Sequence, residues 1–132
     1  MIIQLDFDGT VVNFDFPNIG RLNVGCIEVV KALFNAGHHI YLNTYRANIS
    51  EEALAEALNF LEVHEIISML SGINPQKKIP PAWNPDESIK NGELFIDDDS
   101  EGIALKWDHT GQIKMVDWRV VKSQLIQKNI IY

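Results

Sequence analysis

Three short apolar runs in this chain end in side chains that can do chemistry. Ile2-Ile3-Gln4-Leu5 runs into Asp6-Phe7-Asp8, His39-Ile40-Tyr41-Leu42 into Asn43-Thr44, and Leu94-Phe95-Ile96 into Asp97-Asp98-Asp99. If these runs are neighbouring strands, five carboxylates and a hydroxyl meet on one rim. Five carboxylates in a partly buried crevice cannot all stay ionised without a cation. Oxygen-only donors select a hard divalent ion, and Mg²⁺ keeps several waters while taking one or two carboxylates and the phosphate oxygens of a substrate. Phosphoryl transfer suits such a rim: the cation neutralises the phosphate, one Asp attacks as nucleophile, and a second protonates the leaving group. A Lys or a backbone N–H would hold the remaining phosphate oxygens.

The elements that must carry these residues follow from spacing. Ile2 to Asp6 is short, apolar and β-branched, the signature of a buried strand. From Asn23 to Ala36, apolar side chains recur at Cys26, Ile27, Val30, Leu33 and Phe34, which is helical spacing, and Gly37 is a C-terminal stop. His39 to Asn43 reads as a second strand ending at Thr44. Ser50 is a good N-cap for a second helix, with Glu51 and Glu52 in the turn where the helix dipole favours acids and Leu54, Ala57, Leu58 and Leu61 as its buried stripe. A third strand is expected over 66–70, and the stretch 71–92, with Pro75, Pro80, Pro81 and Pro85, reads as a loop. Leu94 to Ile96 is a buried strand. Ile103 to Trp107 and Ile113 to Val116 flank Asp108-His109-Thr110-Gly111 as a hairpin, and a last helix starts near Asp117 with Trp118, Val121 and Leu125 as its buried face.

Strands that are apolar without alternation, interleaved with helices, imply an α/β fold: a three-layer, doubly wound, Rossmann-like parallel sheet with a C-terminal β-hairpin. In such sheets ligands bind outside the carboxyl ends of the strands, where strand order reverses. That is where the polar ends of the three runs would lie.

Composition narrows the classes further. The chain of 132 residues fits one domain over 1–132, with 46% hydrophobic and 22% charged residues, a globular balance. The lone Cys26 allows no internal disulfide and no CxxC zinc site, which points to a reducing compartment. No apolar run is long enough for a membrane span, and Met1 to Asp6 has no basic start and meets an acid too early for a signal peptide. A cytoplasmic location is expected. The net charge of −7 argues against bulk nucleic-acid binding, which needs clustered Lys and Arg. Asp6, Asp8, Asp97, Asp98 and Asp99 supply five of the 18 acids, leaving 13 against 11 bases, so the acidity is concentrated on the rim.

Leu5-Asp6-Phe7-Asp8-Gly9-Thr10-Val11-Val12 resembles the DxDGT(V/L) signature of the haloacid dehalogenase superfamily of phosphohydrolases. Thr44 at a strand end resembles the second motif of that family, and Phe95-Ile96-Asp97-Asp98 its acidic fourth motif. The resemblance covers essentially the whole chain. It implies that Asp6 is a nucleophile forming an aspartyl-phosphate, that Asp8 is the general acid/base and gives its backbone carbonyl to the metal, and that Thr44 hydrogen-bonds the phosphate. Asp97 and/or Asp98 would complete the Mg²⁺ site with Asp6, and Gly9, Thr10 and Asn43 would lie against the substrate. The third motif is a Lys touching phosphate and nucleophile. Lys90 is the preferred residue because Ser88-Ile89-Lys90 lies shortly before the fourth-motif strand, with Lys77 and Lys78 as competitors. Asp99 departs from the basic residue common after Asp-Asp in small relatives, and no role is assigned to it.

Other residues have blander readings. Arg46 either clamps a substrate anion or pairs with the acidic rim. Cys26 is read as core, His38 and His39 as structural, and His64 and His109 have no partner at metal-ligand spacing. Trp83 is either a wall over the site or, preferred, a wedge packing its loop. The gaps Asp8–Thr44 and Thr44–Asp97 are too short for the cap domain that gives such phosphatases selectivity, so the protein is read as capless with an open site. Such a site takes a phosphorylated small molecule or an exposed phosphate on a larger one, or borrows a lid from a neighbouring subunit in a homo-oligomer. The local lid candidate is 71–92. Two other readings stay open: a non-catalytic module binding Mg²⁺ and a phosphorylated partner, and a receiver-type phospho-acceptor, which the placement of the DxD after the first strand disfavours.

Overall fold

The computed structural model describes all residues from Met1 to Tyr132. The chain order is β1 (Ile2–Leu5), α1 (Cys26–Asn35), β2 (His39–Leu42), α2 (Arg46–Ile49), α3 (Glu51–Val63), β3 (Leu70–Ile73), α4 (Pro85–Asn91), β4 (Glu93–Ile96), β5 (Leu105–Trp107), β6 (Lys114–Val116) and α5 (Trp118–Gln127). Four strands form an all-parallel sheet in the order β3-β2-β1-β4, flanked by helices, and β5 and β6 form a separate antiparallel hairpin. This is the expected doubly wound α/β architecture.

Register explains the rim. Leu5 pairs with Leu42 on one side and Ile96 on the other, so the next residues, Asp6, Asn43 and Asp97, emerge level with one another. The chain winds outward from β1 through β2 to β3, then returns to β4 on the far side of β1. The reversal places a crevice between the carboxyl ends of β1 and β4, the usual ligand position of such sheets. One core of 23 buried apolar residues holds this arrangement, including Ile3, Leu5, Ile40, Leu42, Leu94 and Ile96 from the three central strands. Full burial of each aliphatic side chain contributes about 1.5–3 kcal/mol.

Local chemistry ends the helices where expected. The Ser50 side chain accepts from Ala53 N–H, and the Asp117 carboxylate accepts from Arg119 and Val120 N–H, so both cap their helices. Two segments differ from the sequence reading. The third strand lies at Leu70–Ile73 rather than 66–70, because Ile66 is a core residue and 67–69 is a turn of 3-10 helix that brings the chain back to the sheet. β3 is an edge strand with no fully buried residue, so it lacks an apolar run to announce it. The stretch 71–92 is also not all loop: Asn84 caps α4 by accepting from Glu87 N–H at 3.1 Å, Pro85 opens the helix and Gly92 ends it in the left-handed region. Asn-Pro-Asp-Glu was a readable N-terminal signal that the cluster of prolines masked. No helix is long and apolar enough to cross a membrane.

Candidate active site

The loop after β1 is fastened from three directions. Thr10 C=O accepts from the Trp118 indole N–H at 2.7 Å and from Asn23 Nδ2 at 3.0 Å, and Gly9 C=O accepts from Val116 N–H at 3.0 Å. Asn23 Nδ2 also donates to Val116 C=O at 2.8 Å. The hairpin and α5 therefore hold the residues that follow Asp6. Gly9 adopts φ +83°, and a Cβ there would fall 2.2 Å from Asp98 Oδ2. Only glycine lets the β1 loop and the β4 loop come this close.

On that frame four of the expected residues meet. Thr10 Oγ1 donates to Asp6 Oδ2 at 2.8 Å and accepts from Asp98 N–H at 3.2 Å, so one hydroxyl ties the two acidic loops. Carboxylate oxygens of Asp6, Asp97 and Asp98 lie within 4.8 Å of one another. Asp6 and Asp97 are buried and Asp98 is half-buried. Burial, and after it the Asp97 charge, push the Asp6 carboxyl well above the ordinary range, against the pull of Lys77. Burial also raises Asp98, to about 6, with Asp99 and Asp97 adding to it and the contacts to Asp6 and Lys77 opposing.

The cation over this floor is Lys77, and here the structure corrects the sequence reading. Lys77 Nζ donates to Asp6 Oδ1 at 3.2 Å and lies 3.3 Å from Asp97 Oδ2 and 3.5 Å from Asp99 Oδ2. Burial alone would lower its affinity for the proton, but Asp6 and Asp97 outweigh that and raise it. Lys90 is exposed on the last turn of α4 and makes no contact with the acids. Lys90 precedes the amino end of β4 whereas the acids follow its carboxyl end, so closeness in sequence to that strand does not bring it to the rim. The residue that selects Lys77 is Asn43: its Oδ1 accepts from Lys78 N–H at 2.7 Å and its Nδ2 donates to Lys78 C=O at 3.1 Å. Asn48 Oδ1 accepts from Lys77 N–H at 3.1 Å. Asn43, expected to touch the substrate, instead straps the 74–80 segment so that Lys77 points at Asp6. Lys78 turns outward toward Glu93 at 3.5 Å.

Arg46 and Asp8 form the second charged pair. Nε donates to Asp8 Oδ2 at 2.8 Å and Nη2 to Asp8 Oδ1 at 2.9 Å, a two-pronged contact. The guanidinium also donates to the carbonyls of Ala53, Pro17 and Asn18 and lies 5.0 Å from the Phe16 ring centroid. Arg46 is fully buried with its donors spent, so of its two readings the structure has the pairing with the rim. Asp8 is outside the metal-capable group of three side chains. Thr44 is also fully buried, and its hydroxyl accepts from Arg46 N–H at 3.2 Å.

An open cleft of about 610 Å³ lies over the site, with Asp6, Asp8, Asp98 and Lys77 in its lining. Trp83 is not part of it: the indole N–H donates to Gln124 Oε1 at 3.1 Å and the ring packs on the core, as a wedge under its loop. His38 bridges the Met1 ammonium and Ile130 C=O, and Cys26 is a core thiol pushed up by burial.

The three carboxylates fit a hard divalent cation. Their donors are all oxygen, burial and mutual repulsion make a compensating charge favourable, and Asp97 Oδ2 is buried without a hydrogen-bond partner, its contact with Lys77 being an ion pair without hydrogen-bond geometry.

No family model matches the chain, and no curated protein matches its sequence. A solved structure, that of a conserved protein from Bacteroides thetaiotaomicron, is similar to it, with a TM-score of 0.64 and 24% identity over 97% of this chain and 91% of that one. The likeness is one of fold.

Proposed function

We propose that this protein is a capless Mg²⁺-dependent phosphohydrolase of the haloacid dehalogenase type, acting on a phosphate monoester through an aspartyl-phosphate. The observation that carries the reading is the meeting of Asp6, Asp97 and Asp98 at the β1/β4 crevice with Lys77 over them. Its substrate is a phosphorylated small molecule or an exposed phosphate on a larger one.

Asp6, Asp97 and Asp98 would hold Mg²⁺, which supplies neutralisation of the phosphate charge. An Asp6 oxygen attacks phosphorus, the bond to the alcohol oxygen breaks, and the departing oxygen takes a proton. Water then attacks the acyl phosphate, releasing inorganic phosphate and returning Asp6 as the carboxylate. Thr10 holds Asp6 Oδ2, which leaves Oδ1, the oxygen facing Lys77, for the attack. Lys77 is placed to stabilise the phosphoryl oxygens once Asp6 has reacted. Asp8 is the proton carrier in this reading: it lines the cleft, and each oxygen held by Arg46 keeps a further lone pair for water.

The test is phosphate release from p-nitrophenyl phosphate and a panel of phosphometabolites, in Mg²⁺ and in EDTA. Turnover should require the metal, and Asp6→Asn should lower it by roughly 10³-fold or more. Full activity in that variant, or no metal-dependent turnover with any ester, sinks the reading. One observation favours a second reading, binding of Mg²⁺ and a phosphorylated partner without turnover: both Asp8 oxygens are engaged by Arg46. It predicts phosphate-dependent Mg²⁺ binding with no product.

A further inference from the structure

We infer that the cleft takes a phosphate monoester whose alcohol carries an aromatic ring, seated between the loop that bears Phe14 and Phe16 and the strap that bears Ile79 and Pro80. The inference rests on the phosphohydrolase reading for the phosphoryl end alone. Phe14, Tyr45 and Ile79 are 45%, 56% and 91% exposed, and all three line the cleft whose floor holds Asp6 and Asp98. Single apolar side chains at a surface are ordinary. Three from separate segments lining one cleft, together with half-buried Phe16, give it an apolar side above a charged floor. A pocket that is mostly apolar with a few convergent polar groups is the usual shape of a small-molecule site.

The wall is held out by contacts with the rest of the fold. Arg46 donates to the carbonyls of Pro17 and Asn18 and stacks on Phe16, so the first loop is fixed. Asn43 grips Lys78 through both backbone groups immediately before Ile79, and Pro80 and Pro81 restrict the chain after it. Ile79 therefore stays in water although nothing in the fold uses it, and a ligand that covers it meets an already ordered surface. Three of the side chains are aromatic, and such rings favour offset-stacked or edge-to-face partners. A sugar or glycerol phosphate would leave these faces wet. A phenyl ring and a nucleobase present the same flat face, so the test separates them.

Binding of benzylphosphonate, propylphosphonate and adenosine 5′-monophosphate is measured by calorimetry in Mg²⁺, which needs no turnover. Benzylphosphonate should bind roughly tenfold tighter than propylphosphonate. Phe14→Ala and Ile79→Ala should each shrink that ratio by about threefold or more. Tighter binding of the nucleotide than of benzylphosphonate assigns the wall to a base, and the reverse assigns it to a carbocyclic ring. Equal affinity for the benzyl and propyl compounds, a ratio unmoved in both variants, or no binding of any compound overturns the inference. Turnover of benzyl and propyl phosphates, whose alcohols leave with similar difficulty, is followed in parallel. A benzyl preference without turnover removes the hydrolase reading and keeps the ligand class, whereas turnover without preference does the reverse.

Discussion

Two buried acid–base clusters sit side by side at the carboxyl edge of this sheet, and they are built to opposite ends. The Asp8–Arg46 pair is closed: both carboxylate oxygens are engaged by the guanidinium, whose other donors go to backbone carbonyls, with exposed Glu56 3.7 Å from Nη1. The Asp6 cluster is open: three carboxylates share one ammonium with exposed Asp99 nearby, a buried Asp97 oxygen lacks a hydrogen bond, and the Asp6 and Asp98 carboxyls are both displaced upward. Burial of charge alone does not mark a cation site, because both clusters are buried. The mark is surplus charge that the chain itself leaves uncompensated.

The largest effect that would test this contrast is on stability. Arg46→Ala leaves Asp8 with 11% of its side chain exposed and no counter-charge, and should cost about 3–5 kcal/mol in urea unfolding. Asp8→Asn in the same background should recover part of that loss, since the uncompensated carboxylate is gone. A cost under about 1 kcal/mol for Arg46→Ala would mean that the pair is not the fastening described here. Next comes Lys77→Met, which in the phosphohydrolase reading should lower turnover by roughly 10²-fold, because the phosphoryl oxygens lose their ammonium partner.

A smaller effect concerns pH. The folded Asp98 holds a proton up to about pH 6, whereas the unfolded chain releases it near 3.8. The folded state thus binds more protons in that window, so the stabilisation from this group is full below the unfolded value and is lost as pH rises toward 6. In EDTA, the difference in unfolding midpoint between wild type and Asp98→Asn should change between pH 4 and 6 in favour of the variant, and a difference constant with pH would refute the assignment. At neutral pH, Mg²⁺ at about 100 times its dissociation constant should add about 2.7 kcal/mol by mass action. The smallest effect is the sharpest control: Lys90→Ala should change neither turnover nor stability by more than about 0.5 kcal/mol.

Much of the open cluster was legible in the chain. Each acid follows an apolar run that had to be a central strand, and a parallel sheet aligns strand ends, so Asp6, Asp97 and Asp98 could be grouped from sequence. The closed cluster was only half legible, because Arg46 stood as clamp or salt bridge and no pattern fixes where a long side chain folds back. The family resemblance puts Asn43 against the substrate; its grip on Lys78 depends on the path of a proline-rich segment that has no periodicity. The lysine was misplaced for the same reason. Lys77 reaches Asp6 across 71 positions in sequence, a contact that loop geometry alone creates.

What the amino-acid sequence determined by itself is the alternation of strands and helices, the caps at Ser50 and Asp117, and the set of acids that end the strands, because these depend on local propensity and hydrophobic period. What only the tertiary structure decided is which base meets which acid. That choice turns on strand order, on the close approach of Gly9 to Asp98, and on the strap held by Asn43, all of them contacts between segments far apart in the chain.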